Sequence, residues 1–245
     1  MRCVGFSTGA LARGDFRSGL RMLVERNVCA VELSALRQDE LIPLVQQLNE
    51  LDLGAFKYIA FHAPSSIDDA FEARALELLA EVAARNWPII VHPDAMHTRL
   101  EWGRLGECLC IENMDKRKAV GQTAQDLAGI FELLPDASLC FDIGHARQVD
   151  PTMSEAAAIL RQFRGRIRQL HVSEVNTQSK HDSLSLESIL AFRKVSHLIP
   201  QNCPAILESR VEESQILEEI ENACAALSSE GLSARTVNLI ALAGD

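Results

Sequence analysis

Eight short apolar runs punctuate the chain, and longer amphipathic stretches separate them. The runs occupy residues 3–7, 28–34, 58–62, 88–92, 108–113, 138–142, 167–173 and 204–209. Each is rich in Val, Ile, Leu, Cys and Phe and lacks strict polar alternation. Strands of a parallel sheet read this way, because helices cover both faces and leave no solvent side. The stretches 15–26, 39–51, 69–85, 123–134, 154–164, 185–197 and 212–229 carry apolar residues at helical spacing and predict helices. Thr123 with Asp126 three residues on is a capping pattern, and Ser154 followed by Glu155 reads as a cap with an acid behind it. Between the fourth and fifth runs only 93–107 is available, with Gly103 and Gly106 inside it. One or two helical turns at most are expected there.

Eight strand–helix pairs in 245 residues average about 31 residues each, the rhythm of a (β/α)8 TIM barrel. A doubly wound open sheet is the rival, and it would usually place a glycine-rich phosphate loop after its first strand. The segment GFSTGALARGD holds Gly5, Gly9 and Gly14, but not at GxGxxG spacing. No composition shift or Pro/Gly/Ser linker marks a second domain. The expectation is therefore one α/β barrel domain over 1–245 with a shortened fourth crossover. The remaining segment, 235–245, contains the apolar run 237–243 and is expected to pack as a final strand or helix on the barrel exterior.

Composition narrows the class. Apolar residues make up 47% and charged residues 24%, which is ordinary globular usage and argues against disorder. With 24 Lys+Arg against 34 Asp+Glu the net charge is −10, which weighs against a nonspecific binder of nucleic acid or anionic membrane. No apolar stretch approaches the ~18 residues that span a bilayer. The start, MRCVGFSTG, lacks a basic segment followed by a long apolar run, so no secretion signal is expected. Seven cysteines, an odd number, lie mostly in apolar runs such as NVCAVEL, CLCIE and SLCFD. Reduced, buried thiols are expected rather than a disulfide framework, and Cys108-Leu-Cys110 lacks CxxC spacing. The setting reads as cytoplasmic.

One regularity carries the chemistry. Seven successive predicted strands bear an acid or imidazole near their C-terminal end: Glu32, His62, His92, Glu112, Asp142, His171 and Glu208. Their spacings of 30, 30, 20, 30, 29 and 37 residues track the strand–helix repeat. In a TIM barrel those ends converge on one mouth, where active sites are built. Crowded acids and imidazoles would repel or be badly desolvated there, and a divalent cation removes that cost. Glu112, Asp142, His171 and Glu208 supply three carboxylates and one imidazole, a set suited to Mn²⁺, Mg²⁺ or Zn²⁺. His145 follows Asp142 by three residues, and His181 sits in the polar loop VNTQSKHDSL after strand seven. With His62 and His92, five of the seven histidines point to one place, enough for a second or third metal. A strand-end histidine satisfied by a neighbour is the competing structural reading, and Glu32 is equally suited to a purely structural hydrogen bond. His97 and His197 lack a supporting pattern and read as surface residues.

These residues lie in FHAP (61–64), VHPD (91–94), IENMD (111–115), FDIGHA (141–146), LHVSE (170–174) and ILES (206–209). In order and spacing the set resembles the xylose isomerase-like TIM-barrel superfamily, over nearly the whole chain. That superfamily includes sugar and sugar-phosphate isomerases and epimerases, and abasic-site nucleases of the endonuclease IV type. The resemblance implies a shared metal held by Glu112, Asp142, His171 and Glu208. The endonuclease branch implies added ligands at His62, His92, His145 and His181, making a three-zinc cluster. Its third zinc also uses an Asp two residues before the loop histidine. Here that position is Ser179, with Asp182 as the nearby substitute. Ser185 and Leu186 replace the common Gly-x-Gly, and Glu174 replaces the usual Asp.

Two reactions fit. In an isomerase or epimerase, the first choice from sequence, Glu112 and Glu208 flank a sugar or sugar phosphate and exchange a proton with it. A metal-stabilised enediolate lies between them, and His145 hydrogen-bonds a substrate oxygen. Lys180 and Arg210 are candidates for gripping a phosphate or carboxylate, and Glu32 is a further candidate substrate contact. In a phosphoester hydrolase, His62 and His92 share Glu112 in a second metal site. Lys116-Arg117-Lys118 is the basic run nearest the mouth, and nucleic acid is not the expected partner. A barrel that binds metal without turnover is the third reading, and the full ligand set argues against it.

Overall fold

The computed structural model describes residues 2–228, and in it all eight predicted runs become strands of one closed barrel. They are β1 (Val4–Ser7), β2 (Ala30–Ser34), β3 (Tyr58–His62), β4 (Ile89–Val91), β5 (Leu109–Glu112), β6 (Ser138–Asp142), β7 (Ile167–Val172) and β8 (Ala205–Leu207). Each strand pairs in parallel with its sequence neighbours, and β1 closes the ring against β8. This is a (β/α)8 barrel. Gly5 permits a close approach between β1 and β2: a Cβ there would sit 1.8 Å from the carbonyl oxygen of Ala30.

Strand periodicity divides the apolar residues into two sets. Phe6, Val31, Leu33, Phe61, Ile89, Val91, Ile111, Phe141, Leu170, Val172 and Leu207 face the helices and join them in one large core. Ala60, Ile90, Cys110 and Cys140, with Tyr58 against them, form a separate small cluster inside the barrel. Successive side chains of a strand point to opposite faces. His62, Glu112 and Asp142 therefore stand on the inner face, two residues beyond Ala60, Cys110 and Cys140. An irregularity between Leu139 and Cys140 shifts the register against β7, so that Asp142 pairs with His171. Both strand faces are buried, which is why the sequence shows apolar runs rather than alternation.

The seven predicted helices form, each ending earlier than predicted: Phe16–Val24, Gln38–Gln47, Asp69–Ala83, Ala124–Leu133, Ser154–Gln162, Leu186–Ser196 and Ile216–Leu227. Helix Asp69–Ala83 buries Ala75, Leu76, Leu78, Leu79 and Val82, at roughly 1.5–3 kcal/mol for each large side chain. Thr123 and Asp126 form the expected capping box, with Asp126 N donating to Thr123 Oγ1 at 3.1 Å and Thr123 N to Asp126 Oδ2 at 3.2 Å. The cap expected at Ser154 is built differently. Met153 holds the cap position with φ 68°, and Asp150 Oδ2 accepts from Glu155 N at 2.9 Å.

Two further helices lie outside the predicted set: Thr8–Ala12 directly after β1, and Ile143–Val149 directly after β6. Both are too short to show helical periodicity. The polar loop expected after β7 contains a small antiparallel ribbon, Glu174–Val175 against His181–Asp182. The segment 235–245, expected as a final strand or helix, lies outside the described residues. All seven cysteines are free thiols, and Cys110, Cys140 and Cys203 are buried. Cys3, Cys29 and Cys108 are half-buried and Cys224 is exposed, so the expectation of burial holds for only some of them. Among the described residues no helix is long and apolar enough to cross a membrane.

The fourth crossover is short, as its two glycines predict. It consists of the helix Arg99–Trp102 between 3₁₀ turns at Pro93–Ala95 and Gly103–Cys108. The buried carboxylate of Glu72 fastens it. Glu72 accepts from His97 N at 2.7 Å, Thr98 N at 3.0 Å, Thr98 Oγ1 at 2.5 Å and the Trp102 indole N–H at 2.7 Å. Burial opposes the charge on Glu72, yet those bonds lower its pKa. Removing one acceptor strands several donors at once. Glu72→Ala is expected to cost about 3 kcal/mol of stability, read from the urea midpoint. A loss below about 1 kcal/mol would mean that apolar packing alone holds the crossover.

Candidate metal centre

Strand ends deliver the polar groups. His62, Glu112 and Asp142 are the last residues of β3, β5 and β6, His171 lies in β7, and His92 and Glu208 immediately follow β4 and β8. Asp142 also caps helix Ile143–Val149, accepting from His145 N at 2.6 Å, which swings the His145 ring back over the mouth. Gly144 permits this approach, since a Cβ there would meet the Ser173 carbonyl oxygen at 2.4 Å. His181 enters from the ribbon, and its Nδ1 is 2.8 Å from Ser173 Oγ.

The result is a dense polyhedron of donor atoms. Glu112, Asp142, His171 and Glu208 each offer one ligand atom, all within 4.8 Å of one another. His62, His92 and Glu112 form a second such group, Asp142, His145 and His181 a third, and His62, His171 and Glu208 a fourth. Glu112 is the hinge. Its Oε2 lies 3.2 Å from His62 Nε2 and 3.1 Å from His92 Nε2. Its Oε1 lies 3.2 Å from His171 Nδ1 and 3.3 Å from His145 Nδ1. Glu208 Oε1 is 3.7 Å from His171 Nδ1, and Glu208 Oε2 is 3.3 Å from His181 Nδ1.

Electrostatics bind the groups to one another. Burial would raise the Glu112 carboxyl, but His171 and His92, with the hydrogen bonds of His171 and His62, hold it well below the usual carboxylate range. Burial acts on Glu208 in the same sense, and His171 and His181 lower it. Burial works against His62, yet Glu112 and Glu32 raise it to about 9. Asp142 is pushed up to about 7, chiefly by burial. Its Oδ2 is buried without a hydrogen bond, 3.5 Å from His145 Nδ1, and the residue shares one group of ligand atoms with Glu112, His171 and Glu208. An orphaned carboxylate oxygen among two further carboxylates and an imidazole is the environment a divalent cation completes. The residues present therefore fit a metal ion.

The other residues singled out in the sequence separate into two places. Lys180 and Arg210 are exposed and line an open cavity of about 570 Å³ above the cluster, with Ser65, Ser66, Arg117 and Lys118. Neither Lys180 nor Arg210 has an ion-pair partner among the described residues. Arg117 and Lys118 are neutralised, by Asp115 at 2.7 Å and Asp94 at 2.6 Å. Glu32, expected at the substrate, does not line the cavity. It is fully buried beneath His171, because it sits mid-strand in β2 rather than at its end. Asp182 does not stand in for Ser179 in the third group, since it accepts from Asn176 Nδ2 at 2.7 Å and lies outside the cavity. His97 and His197 are exposed, as expected.

Two residues of the site escape the sequence reading. Asp115 is buried and lines the cavity with Oδ2 4.0 Å from His145 Nε2. Burial opposes its charge, yet Arg117 lowers its carboxyl to about 2. Asn113 clasps the Asp142 backbone, donating from Nδ2 to the carbonyl at 2.8 Å and accepting from the amide at 2.8 Å. Both lie within IENMD, so the available signal is a polar tail on an apolar strand.

No protein-family model matches the chain, and no curated protein matches its sequence. Solved structures do share its fold. Endonuclease IV from Thermus thermophilus is 15% identical, with 89% of this chain and 97% of that one covered at a TM-score of 0.58. The 3-keto-D-glucoside 4-epimerase from E. coli is 12% identical, covering 93% and 99% at 0.55. A xylose isomerase-like TIM barrel protein from Mycobacterium smegmatis, in complex with magnesium, is 12% identical, covering 89% and 92% at 0.53. At such identities the likeness is one of fold.

The raised pKa values of His62 (about 9) and Asp142 (about 7) set a pH response for metal-free protein. Each group holds its proton more tightly when folded. Its stabilising contribution is complete below the unfolded value, 6.5 for His and 3.8 for Asp, and is lost as pH rises through the folded one. The Asp142 contribution is lost from about pH 4 to 7 and that of His62 from about 6.5 to 9, so over pH 6.5 to 9 metal-free protein is expected to melt at progressively lower temperature. Excess divalent metal, which displaces those protons, should flatten or reverse the slope. Calorimetry with and without chelator checks this, and a metal-free melting point that rises over that range would refute it.

Proposed function

We propose that this chain is a divalent-metal-dependent hydrolase of small phosphoesters, built around Glu112. The observation that carries the reading is the division of labour within that carboxylate. One oxygen faces His62 and His92, and the other faces His171 and His145. Such a carboxylate could offer one oxygen to each of two cations, and two-metal centres serve phosphoryl transfer. On this ground hydrolysis ranks ahead of the isomerase or epimerase reading that the sequence favours. Glu112, Asp142, His171 and Glu208 would hold one ion, Mn²⁺, Mg²⁺ or Zn²⁺, and His62, His92 and Glu112 an imidazole-rich second site suited to Zn²⁺. When bound, divalent ions supply Lewis acidity toward a phosphoryl or carbonyl oxygen and acidify water.

The chain's own residues do the rest. Lys180 and Arg210, cations of the cavity wall without an ion-pair partner among the described residues, draw in and orient an anionic group. Burial lowers the pKa of His181, which favours the neutral ring, the form that donates one hydrogen bond and accepts another. A cavity of about 570 Å³ admits a molecule of sugar-phosphate or nucleotide size. With net charge −10 and Arg117 and Lys118 already paired, the mouth is poorly equipped to hold a polyanionic duplex.

The second reading is proton transfer on a sugar or sugar phosphate, with Glu112 and Glu208 as acid and base and His145 on a substrate oxygen. It is supported by the presence of both carboxylates in one metal-sized group, and by the fold shared with the 3-keto-D-glucoside 4-epimerase.

Metal content of protein purified without chelator, together with two assays, separates the readings. Two or more ions per chain and cleavage of p-nitrophenyl phosphate mono- or diesters are expected, with His92→Ala losing one ion and at least about 100-fold in rate. One ion per chain, with solvent deuterium entering keto-sugars and no ester cleavage, would replace hydrolysis by the second reading.

A further inference from the structure

Beneath the metal centre, inside the barrel, runs a chain of three buried or half-buried polar side chains that no step above employs. Tyr58, at the start of β3, donates its hydroxyl to Gln169 Oε1 at 2.8 Å. Gln169, inward-facing on β7, donates from Nε2 to Glu32 Oε2 at 2.6 Å. The same Glu32 oxygen lies 2.9 Å from His171 Nε2. Glu32, Gln169 and His171 are all fully buried. Around them stand Ala60, Ile90, Cys110 and Cys140, which offer no competing charge.

Polar groups placed in an apolar barrel interior cost stability unless they are fully paired. Their order here has a direction. Burial raises the Tyr58 phenol far above its ordinary value, so it stays a donor. A donor on Gln169 Oε1 turns the amide so that its N–H₂ faces Glu32. Glu32 Oε2 thus faces two nitrogens, Gln169 Nε2 and His171 Nε2, which lie 2.9 Å from each other, while Glu32 Oε1 is buried without a hydrogen bond. With the amide nitrogen fixed as a donor by Tyr58, Glu32 Oε2 is the acceptor that both N–H groups can share. The other ring nitrogen of His171, Nδ1, faces Glu112 Oε1 at 3.2 Å and Glu208 Oε1 at 3.7 Å. The two nitrogens of an imidazole have linked roles: the one that donates a proton to a carboxylate leaves the other with its lone pair for a metal.

We infer that Glu32 is a positioning residue for metal binding, locking His171 with Nε2 protonated and Nδ1 presented to the ion, and that Gln169 and Tyr58 hold Glu32 in that orientation. The inference rests on His171 being a ligand in the proposed centre, but not on which reaction the centre performs. Its reach is specific. Glu32 touches neither cavity nor substrate, and no other inward carboxylate among the described residues contacts His171 Nε2.

The test is metal affinity, measured by competition of Zn²⁺ or Mn²⁺ against a chromophoric chelator, on full-length wild type, Glu32→Gln and Tyr58→Phe. Glu32→Gln keeps the shape and removes the charge that fixes the tautomer. It is expected to weaken binding by about 10–100-fold, with the His171 ring nitrogen shifts in ¹⁵N NMR moving toward a tautomer mixture. Tyr58→Phe is expected to weaken binding less, in the same direction. Wild-type affinity and unchanged His171 shifts in Glu32→Gln would overturn the inference. Should Glu32→Gln fail to fold, wild-type affinity in Tyr58→Phe would overturn it instead. If wild type itself binds neither ion, the metal centre fails and the inference falls with it, a result distinguishable from wild type binding and Glu32→Gln binding equally well.

Discussion

Glu112 lies buried at the end of β5 with four imidazoles at 3.1 to 3.3 Å from its two oxygens, and the rest of the site depends on that carboxylate. A bare carboxylate in that place would be strongly disfavoured, and so would four uncharged or mutually repelling rings. Each makes the other tolerable. Asp142 Oδ2 is left without a hydrogen bond, with His145 Nδ1 3.5 Å away, and burial drives the Asp142 carboxyl to about 7. The cluster thus balances its charges only in part, and the residual demand is for positive charge at a point ringed by donor atoms.

The barrel produces this cluster by geometry alone. Parallel strands start at one rim and end at the other, so residues at strand ends meet although they are far apart in sequence. The period of two then decides which of them face inward, and the shift between Leu139 and Cys140 brings β7 into phase so that His171 stands beside Asp142. Outward residues of the same strands join the large core that makes the scaffold rigid. Rigidity matters because a binding constellation needs its supporting residues to hold its separations. Glu72, which fastens the one crossover too short for a full helix, serves the same end from outside the barrel.

Below the cluster the barrel interior changes character within two residues, from ionisable groups to Ala60, Ile90, Cys110 and Cys140. Glu32, Gln169 and Tyr58 cross that boundary as a hydrogen-bonded chain. Above it, Lys180 and Arg210 stand exposed at the cavity wall. The site is therefore layered: cations facing solvent, a cluster of acids and imidazoles in the middle, and a neutral-to-acidic support beneath. Each layer comes from a different position along the same strands and their following loops.

Much of this is legible in the sequence, because burial on both faces leaves apolar runs and because one residue per repeat carries the chemistry. Eight strands, seven helices and the short crossover at 93–107 follow from period and glycine placement. Period cannot reveal elements shorter than their own repeat, such as Ile143–Val149, or the ribbon at Glu174–Val175 and His181–Asp182. Nor can it tell strand end from strand middle to within two residues, and that distance moves Glu32 from the expected substrate contact to a place under His171. Local sequence sets which way the chain prefers to run and which residues alternate. Which nitrogen faces which oxygen is decided by the closing of the ring, since only closure brings residues more than a hundred positions apart, such as Glu32 and His171, within 2.9 Å.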